Sequence, residues 1–243
     1  MSYVLIIGAK SDIAKEVARE YAKNGYDLYL AGRNIDEMKD FENDIKIRSK
    51  ADVKLKEFDI TDFESHEQFY NSLEPKPLGV IVVAGYMAEQ KTCENDWSKT
   101  LNTINVNFTG AVSILNIIAN DMEQNKNGFI VGVSSVAGDR GRKANYIYGS
   151  AKAGFSAYLS GLRNRLYESG VKVLTVKPGF VNTKMTEHLD LSAKLTAESE
   201  DVASDIYNAQ QKGKDILYTK SIWRFVMLVI KHIPEMIFKR LSI

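Results

Sequence analysis

Short apolar runs alternate with amphipathic stretches along almost the whole chain. The runs are YVLII, YDLYLA, DVKLKEF, LGVIVVA, GFIVGVSS, VKVLTVKP and DILYT. They read as strands, being rich in Val, Ile, Leu and aromatic residues and bounded by turn formers. Between them, Asp12–Asn24, Ile35–Ser49, Asp62–Leu73, Trp97–Glu123 and Tyr146–Ser169 carry apolar residues at three- and four-residue steps. That spacing marks one buried helical face. Several strands are apolar almost throughout, so both of their faces need cover. A parallel sheet flanked by helices supplies it.

The expected fold is therefore α/β: a three-layer, Rossmann-type, doubly wound parallel sheet of about seven strands. No linker, repeat or low-complexity tract interrupts residues 1–221, which are expected to form one domain. From Ile222 the chain changes to IWRFVMLVIKHIPEMIFKRLSI, dense in apolar and basic residues, and 222–243 reads as a separate amphipathic segment.

Composition narrows the chemistry. The 243 residues carry a net charge of +1, with no basic excess of the kind nucleic-acid binding needs. Cys93 is the only cysteine, and His66, His188 and His232 are scattered, so neither a disulfide nor a metal site is expected. A lone cysteine fits a reducing, cytoplasmic setting. The N-terminal apolar run is too short for a signal peptide and has no basic start.

The turn GAKSDIA, Gly8 to Ala14, lies between the first strand and the first helix. In an open parallel sheet this is where a dinucleotide pyrophosphate meets a helix N-terminus. Gly8 permits the tight turn, Asp12 stands where a second glycine is usual, and Ala14 approximates the third. Ser11 or Asp12 can cap the helix. Alone, the loop serves equally as a cofactor turn or a plain cap. The second strand ends in AGRN, placing Arg33 where an acid would hold the ribose hydroxyls of NAD. Arg33 suits a 2′-phosphate instead, and otherwise is a solvated helix-start residue. In FDITD, Asp59 can accept from an adenine amino group or cap a helix, for which Asp62 is the better placed.

The strongest signal is NYIYGSAKAGF. Tyr148 and Lys152 are four apart and share a helical face. A phenol is a poor acid–base at neutral pH unless a neighbouring ammonium stabilises its anion, the tuning that proton transfer to a carbonyl oxygen requires. Ser134 and Ser135 end the preceding strand, where a hydroxyl can hydrogen-bond a developing alkoxide. Asn107 in NVNFTGAV is a buried amide suited to organising a relay water.

Ser135, Tyr148 and Lys152 in this spacing, Asn107 before them and KPGFVNT at Lys177–Thr183 resemble the short-chain dehydrogenase/reductase family over nearly the full chain. The resemblance implies that Ser135 orients a carbonyl, Tyr148 carries the proton, Lys152 binds ribose and tunes Tyr148, and Asn107 completes the relay. It implies a cofactor site of Gly8, Lys10, Ser11, Asp12, Ile13, Arg33, Asp59, Ala84, Gly85, Tyr148, Lys152, Pro178, Gly179, Val181 and Thr183, holding NADP(H) in preference to NAD(H). Two departures stand out: VVAG replaces the family's Asn-Asn-Ala-Gly through Val82 and Val83, and Asp12 and Ala14 alter the glycine loop. In the expected reading Asp12 caps the helix. The family also implies a homo-oligomer built on the helices that hold Asn107 and Tyr148.

GDRGRKANYIYGSAKAGF, PGFVNTKM, KGKDILYT and the C-terminal segment are together similar to the reductase half of decaprenylphosphoryl-ribose 2′-epimerase systems. That similarity implies reduction of a 2-keto-pentose carried on polyprenyl phosphate, after a flavin-dependent oxidase partner has made the ketone. A lipid-linked sugar substrate fits a tail that lies on the inner membrane surface, which interrupted apolar and basic residues favour over a span. The tail equally suits packing over the cleft or a subunit contact. Arg140, Arg142 and Lys143 either meet the substrate phosphate or form an ordinary basic loop. Two other functions stay open: the same chemistry on an unrelated soluble carbonyl, such as a 3-oxoacyl thioester or small ketone, and a non-catalytic cofactor-binding regulator.

Overall fold

The seven apolar runs become strands β1 (Tyr3–Ile7), β2 (Asp27–Gly32), β3 (Val53–Glu57), β4 (Gly79–Val82), β5 (Phe129–Val133), β6 (Lys172–Pro178) and, later in the chain, Ile216–Thr219. The computed structural model describes residues 2–187 and 192–241; His188 and the last two residues of the tail lie outside them. Two short strands, β7 (Phe180–Val181) and β8 (Thr196–Ala197), pair separately, so Ile216–Thr219 is β9. The main sheet is parallel throughout, in the order β3-β2-β1-β4-β5-β6-β9. The direction of winding reverses between β1 and β4, and the crevice outside that point is where such sheets bind ligands.

The sheet is covered on both faces, as its strand composition requires. Val4, Ile6, Leu28 and Leu30 face a core completed by α1 (Asp12–Lys23) and a C-terminal helix, Ser199–Gln211, that the hydrophobic pattern had not marked. Leu5, Ile7, Tyr29 and Val80 face the other core. The chain adds α2 (Lys39–Ser49), α3 (His66–Asn71), α4 (Gln90–Asn95), α5 (Trp97–Ile104), α6 (Gly110–Asn125) and α7 (Tyr146–Leu166); Ser199–Gln211 is then α8. The expected second and third helices each begin with a 3₁₀ turn, Ile35–Met38 and Phe63–Ser65.

The long helix expected over Trp97–Glu123 is broken by a π turn at Asn105–Thr109, where the Gly110 N–H donates back to the Asn105 carbonyl. Such turns interrupt a helix to re-aim side chains, frequently at functional sites. By length and hydropathy alone, Trp97–Asn125 is long and apolar enough to cross a membrane. Its Ala111, Ile114, Leu115, Ile118 and Ala119 are instead buried against the sheet.

The C-terminal segment folds as α9 (Ile222–His232) and α10 (Glu235–Phe238) and packs on the body. Trp223 and Met227 are buried against Val136, with Phe180, Leu195 and Tyr218 packed around them. The Trp223 indole donates to the Leu195 carbonyl at 2.9 Å.

Candidate active site

Two connected cavities open along the carboxyl ends of the strands, of about 220 Å³ and about 360 Å³, and both are lined by Lys10, Ser11 and Gly85. The first lobe also takes in Gly8, Arg33, Asp59 and Ala84. The second takes in Asp12, Ile13, Ser135, Tyr148, Lys152, Pro178, Gly179, Val181 and Thr183. Residues from both ends of the chain's first 186 positions thus share one cleft at the switch point of the sheet.

Gly8 leaves β1 at φ +84°, and a Cβ there would fall 2.6 Å from the Ala84 nitrogen. Only glycine combines that backbone with that approach. The helix cap differs from expectation. Ser11, not Asp12, is the N-cap of α1, with its Oγ accepting from the Ala14 N–H at 3.2 Å. Asp12 is the first helical residue, and its carboxylate accepts from the Lys184 N–H at 2.9 Å. That bond draws the carboxylate toward the turn after β7 and leaves the cap to a neutral hydroxyl, which suits an anion at the helix start. Ala14 is fully buried, small enough for α1 to seat on the sheet.

Arg33 is 68% exposed at the end of β2, with one guanidinium nitrogen 3.9 Å from an Asp59 oxygen. Asp59 closes its own turn, Oδ1 accepting from the Thr61 N–H at 2.9 Å and the Thr61 hydroxyl at 2.8 Å. Burial would raise its pKa, but the Thr61 hydrogen bonds and the Arg33 charge hold it below the usual carboxylate range. Asp62, expected to be the better cap, makes no side-chain capping bond; the Asp59 turn precedes the helix instead. Lys10 pairs with Glu37 at 2.6 Å.

The reacting end is built from β5 and α7. Ser134 and Ser135 take opposite roles. Ser134 is buried and donates to the Lys152 carbonyl at 2.9 Å, fastening α7 to the strand. Ser135 lines the cavity, and its Oγ accepts from the Ala137 N–H at 3.1 Å, which leaves its own proton free to donate. Lys152 lies almost wholly buried and donates to the Val133 carbonyl at 3.0 Å, 5.8 Å from the Tyr148 ring centroid. Burial lowers its pKa to about 8. Burial likewise raises the Tyr148 phenol to about 12, opposed by the Ser135 hydroxyl. In the protein alone desolvation thus outweighs the Ser135 hydroxyl; the expected lowering of the phenol draws on Lys152 together with the charge of an oxidised nicotinamide.

Asn107 departs from its expected part as well. Its Nδ2 donates to the Tyr86 carbonyl at 2.6 Å and the Thr103 carbonyl at 2.8 Å, and its Oδ1 accepts from the Tyr86 N–H at 3.3 Å. With both ends of the amide engaged, it clamps the chain just after Gly85 above the cleft rather than presenting its side chain to a relay water. Sequence reasoning passed over Met87, Asn145, Phe180 and Met185, which also line the second lobe. The aromatic and the second Met stand inside PGFVNTKM, the one local signal that would have found them.

The C-terminal segment backs part of the wall, with Trp223 packed against Phe180 of the lining. A Cβ on Gly179 would fall 1.9 Å from the Trp223 indole nitrogen, so the glycine admits α9 against the cleft. Of the basic loop residues, Arg140 does not face the cavity. It donates to the Ile230 and Ile233 carbonyls, each at 2.6 Å, and pairs with Glu235 at 2.8 Å.

A glycine turn, a helix N-terminus and a Tyr–Lys–Ser set at the switch point of a parallel sheet define a dinucleotide-dependent α/β enzyme. The short chain dehydrogenase family model matches residues 2–194. An uncharacterized oxidoreductase of Mycobacterium tuberculosis is 34% identical, with 98% of this chain and 96% of the relative aligned. The chain belongs to the short-chain dehydrogenase family and is an NAD(P)-dependent oxidoreductase. Its fold matches a short-chain dehydrogenase from Sphingobium yanoikuyae in complex with NADPH (TM-score 0.83, 21% identity, 97% of each chain). It also matches the bulky-bulky ketone specific alcohol dehydrogenase from Comamonas testosteroni (TM-score 0.81, 19% identity, 97% of this chain and 96% of that one).

Proposed function

We propose that the protein is an NADPH-dependent ketoreductase acting on a 2-keto-pentose carried by polyprenyl phosphate, in the synthesis of a cell-envelope polysaccharide precursor. The reading rests above all on Tyr148, Ser135 and Lys152 gathered on a cavity whose Gly179 and Phe180 lining is backed by Trp223 of an amphipathic tail. The residues present fit a dinucleotide: Gly8 and the start of α1 would hold its pyrophosphate, Lys152 its ribose, and Pro178, Gly179, Val181 and Thr183 its nicotinamide. When bound, the nicotinamide supplies the hydride. Ser135 donates to the carbonyl oxygen, and Tyr148 gives that oxygen its proton as the alcohol forms. Lys152 compensates the phenolate so produced.

The decisive assay supplies a short prenyl-phosphate-linked 2-keto-pentose and NADPH, beside a 3-oxoacyl thioester and a small cyclic ketone. The lipid-linked keto-sugar should exceed both in kcat/KM by at least about a hundredfold. Equal rates would return the protein to the soluble-carbonyl reading. Cofactor preference rides on Arg33, exposed at the lobe that Asp59 shares. Arg33→Ala should weaken NADPH about ten- to a hundredfold in a binding titration and leave NADH within about twofold. Similar losses for both cofactors would remove its role with the 2′-phosphate.

The tail supports the lipid reading through its outer surface. Phe225, Leu228, Val229, Met236 and Ile237 are exposed, with Arg224, Lys231, Lys239 and Arg240 among them. Apolar groups between cations suit the interface of an anionic bilayer, here the cytoplasmic face. Because Trp223 packs behind Gly179 and Phe180 of the cleft lining, deleting the tail would disturb the site; outward substitutions leave it intact. Phe225→Ser with Val229→Ser should abolish sedimentation with phosphatidylglycerol vesicles while NADPH binding persists. Unchanged sedimentation, or none by the native chain, would place the tail elsewhere. A flavin-dependent oxidase would supply the ketone, and exposed Trp97 and Leu101 on α5 favour a homo-oligomer.

A further inference from the structure

Three basic residues precede α7, and the structure uses each differently. Arg140 is held by the tail, and Lys143 is exposed beside Glu89 and Glu94 in an outer groove. Arg142 instead lines the second lobe with Tyr148. Its Nε is buried without a hydrogen-bond partner among the described residues, and so is Oδ1 of Asn145, three residues on and in the same lining. Asn145 precedes α7 directly, yet its side chain does not cap the helix.

The nearest compensating charge cannot serve Arg142 directly. Asp139 acts on it through space, but its two oxygens already accept from Lys177 at 2.5 Å and Tyr218 at 2.7 Å. Among the described residues Arg142 makes no ion pair. A half-buried guanidinium and a buried carbonyl oxygen, both unsatisfied, are costly to the folded chain unless a ligand completes them. Burial accordingly lowers the Arg142 pKa, against the pull of Asp139.

We propose that Arg142 and Asn145 form the polar end of the substrate pocket, Arg142 binding an anionic group of the substrate and Asn145 accepting from a substrate hydroxyl. The chemical class is a hydroxylated ketone bearing a phosphate, whether free or esterified to a lipid. The inference rests on the reading that this cavity presents a carbonyl to Tyr148, and it assigns the determinant of specificity rather than of the chemistry.

Calorimetric titration of the NADPH-loaded full chain with ribulose and with ribulose 5-phosphate tests it. The native protein should bind the phosphate-bearing ketose at least about tenfold tighter than ribulose. Arg142→Leu should erase that preference, weakening ribulose 5-phosphate about tenfold or more and ribulose by less than about twofold. Arg142→Lys should retain part of it, which a purely structural role would not produce. Asn145→Ala should weaken both ketoses together. The prenyl-phosphate-linked 2-keto-pentose, titrated alongside, tells the lipid ester from the free phosphate: whichever shows the greater Arg142 dependence is the natural form.

The proposal is overturned if the native chain has no preference for the phosphate, including by binding neither ketose, or if the preference survives in Arg142→Leu. It is equally overturned if Arg142→Leu weakens NADPH instead, since the guanidinium would then serve the cofactor. A charge preference without turnover would leave the pocket assignment standing and count against the reductase reading alone.

Discussion

Tyr148→Phe is expected to lower the rate of carbonyl reduction by about 10²- to 10⁴-fold while NADPH still binds. The variant removes one oxygen from a side chain whose ring stays packed on α7. Burial holds that phenol at about 12, so it carries its proton across the working range and gives it up only where a neighbouring positive charge stabilises the phenolate. The Ser135 hydroxyl, its oxygen occupied by the Ala137 N–H, can still polarise the carbonyl but has no second group from which to replace its proton. Single-turnover oxidation of bound NADPH separates the chemical step from binding and release. A rate unchanged by the substitution would move the proton donor elsewhere, and the absence of turnover in both forms would favour a regulatory protein.

Lys152→Met is expected to abolish turnover to a similar degree and to change how stability depends on pH. Burial takes the lysine from its ordinary 10.5 to about 8. Between those values the unfolded chain binds more protons than the folded one, so the native protein gains stability as pH rises through that window. Below about pH 8 the full cost is present, about 3 kcal/mol. Methionine escapes that cost but leaves the Val133 carbonyl without its donor, a loss of about 1–3 kcal/mol. The variant should therefore match or exceed the native protein at pH 7 and fall behind it above pH 10. Denaturant unfolding across that range measures the difference, and a difference flat with pH would contradict the burial argument. The same titration should lower kcat/KM of the native enzyme above about pH 8.

What was legible in the sequence was local or periodic. Strands covered on both faces are apolar throughout, so YVLII and LGVIVVA announced the sheet and its parallel sense. Tyr148 and Lys152 were visible because four residues make one helical turn. The missed features depend on where distant segments meet. Ser11 won the α1 cap because Lys184, 172 residues away, claims the Asp12 carboxylate. Asn107 reads in sequence as a buried amide for a relay water, and only the fold brings the chain after Gly85 onto it. The π turn leaves no mark on the apolar spacing of Trp97–Glu123, since it inserts a single backbone step. Arg140, Arg142 and Lys143 are alike in sequence, and only their surroundings distinguish them.

Arg140 holds the end of α9 from the very loop that leads into α7. One guanidinium satisfies carbonyls that a helix C-terminus would otherwise turn to water, and it also lies 3.7 Å from the Phe238 ring centroid. The tail consequently cannot fray as an independent appendage: its opening free energy includes the disruption of a loop two residues from Arg142. Contact at the outer surface and occupancy of the cleft are then two loads on one cooperative unit, and whatever steadies either steadies the other.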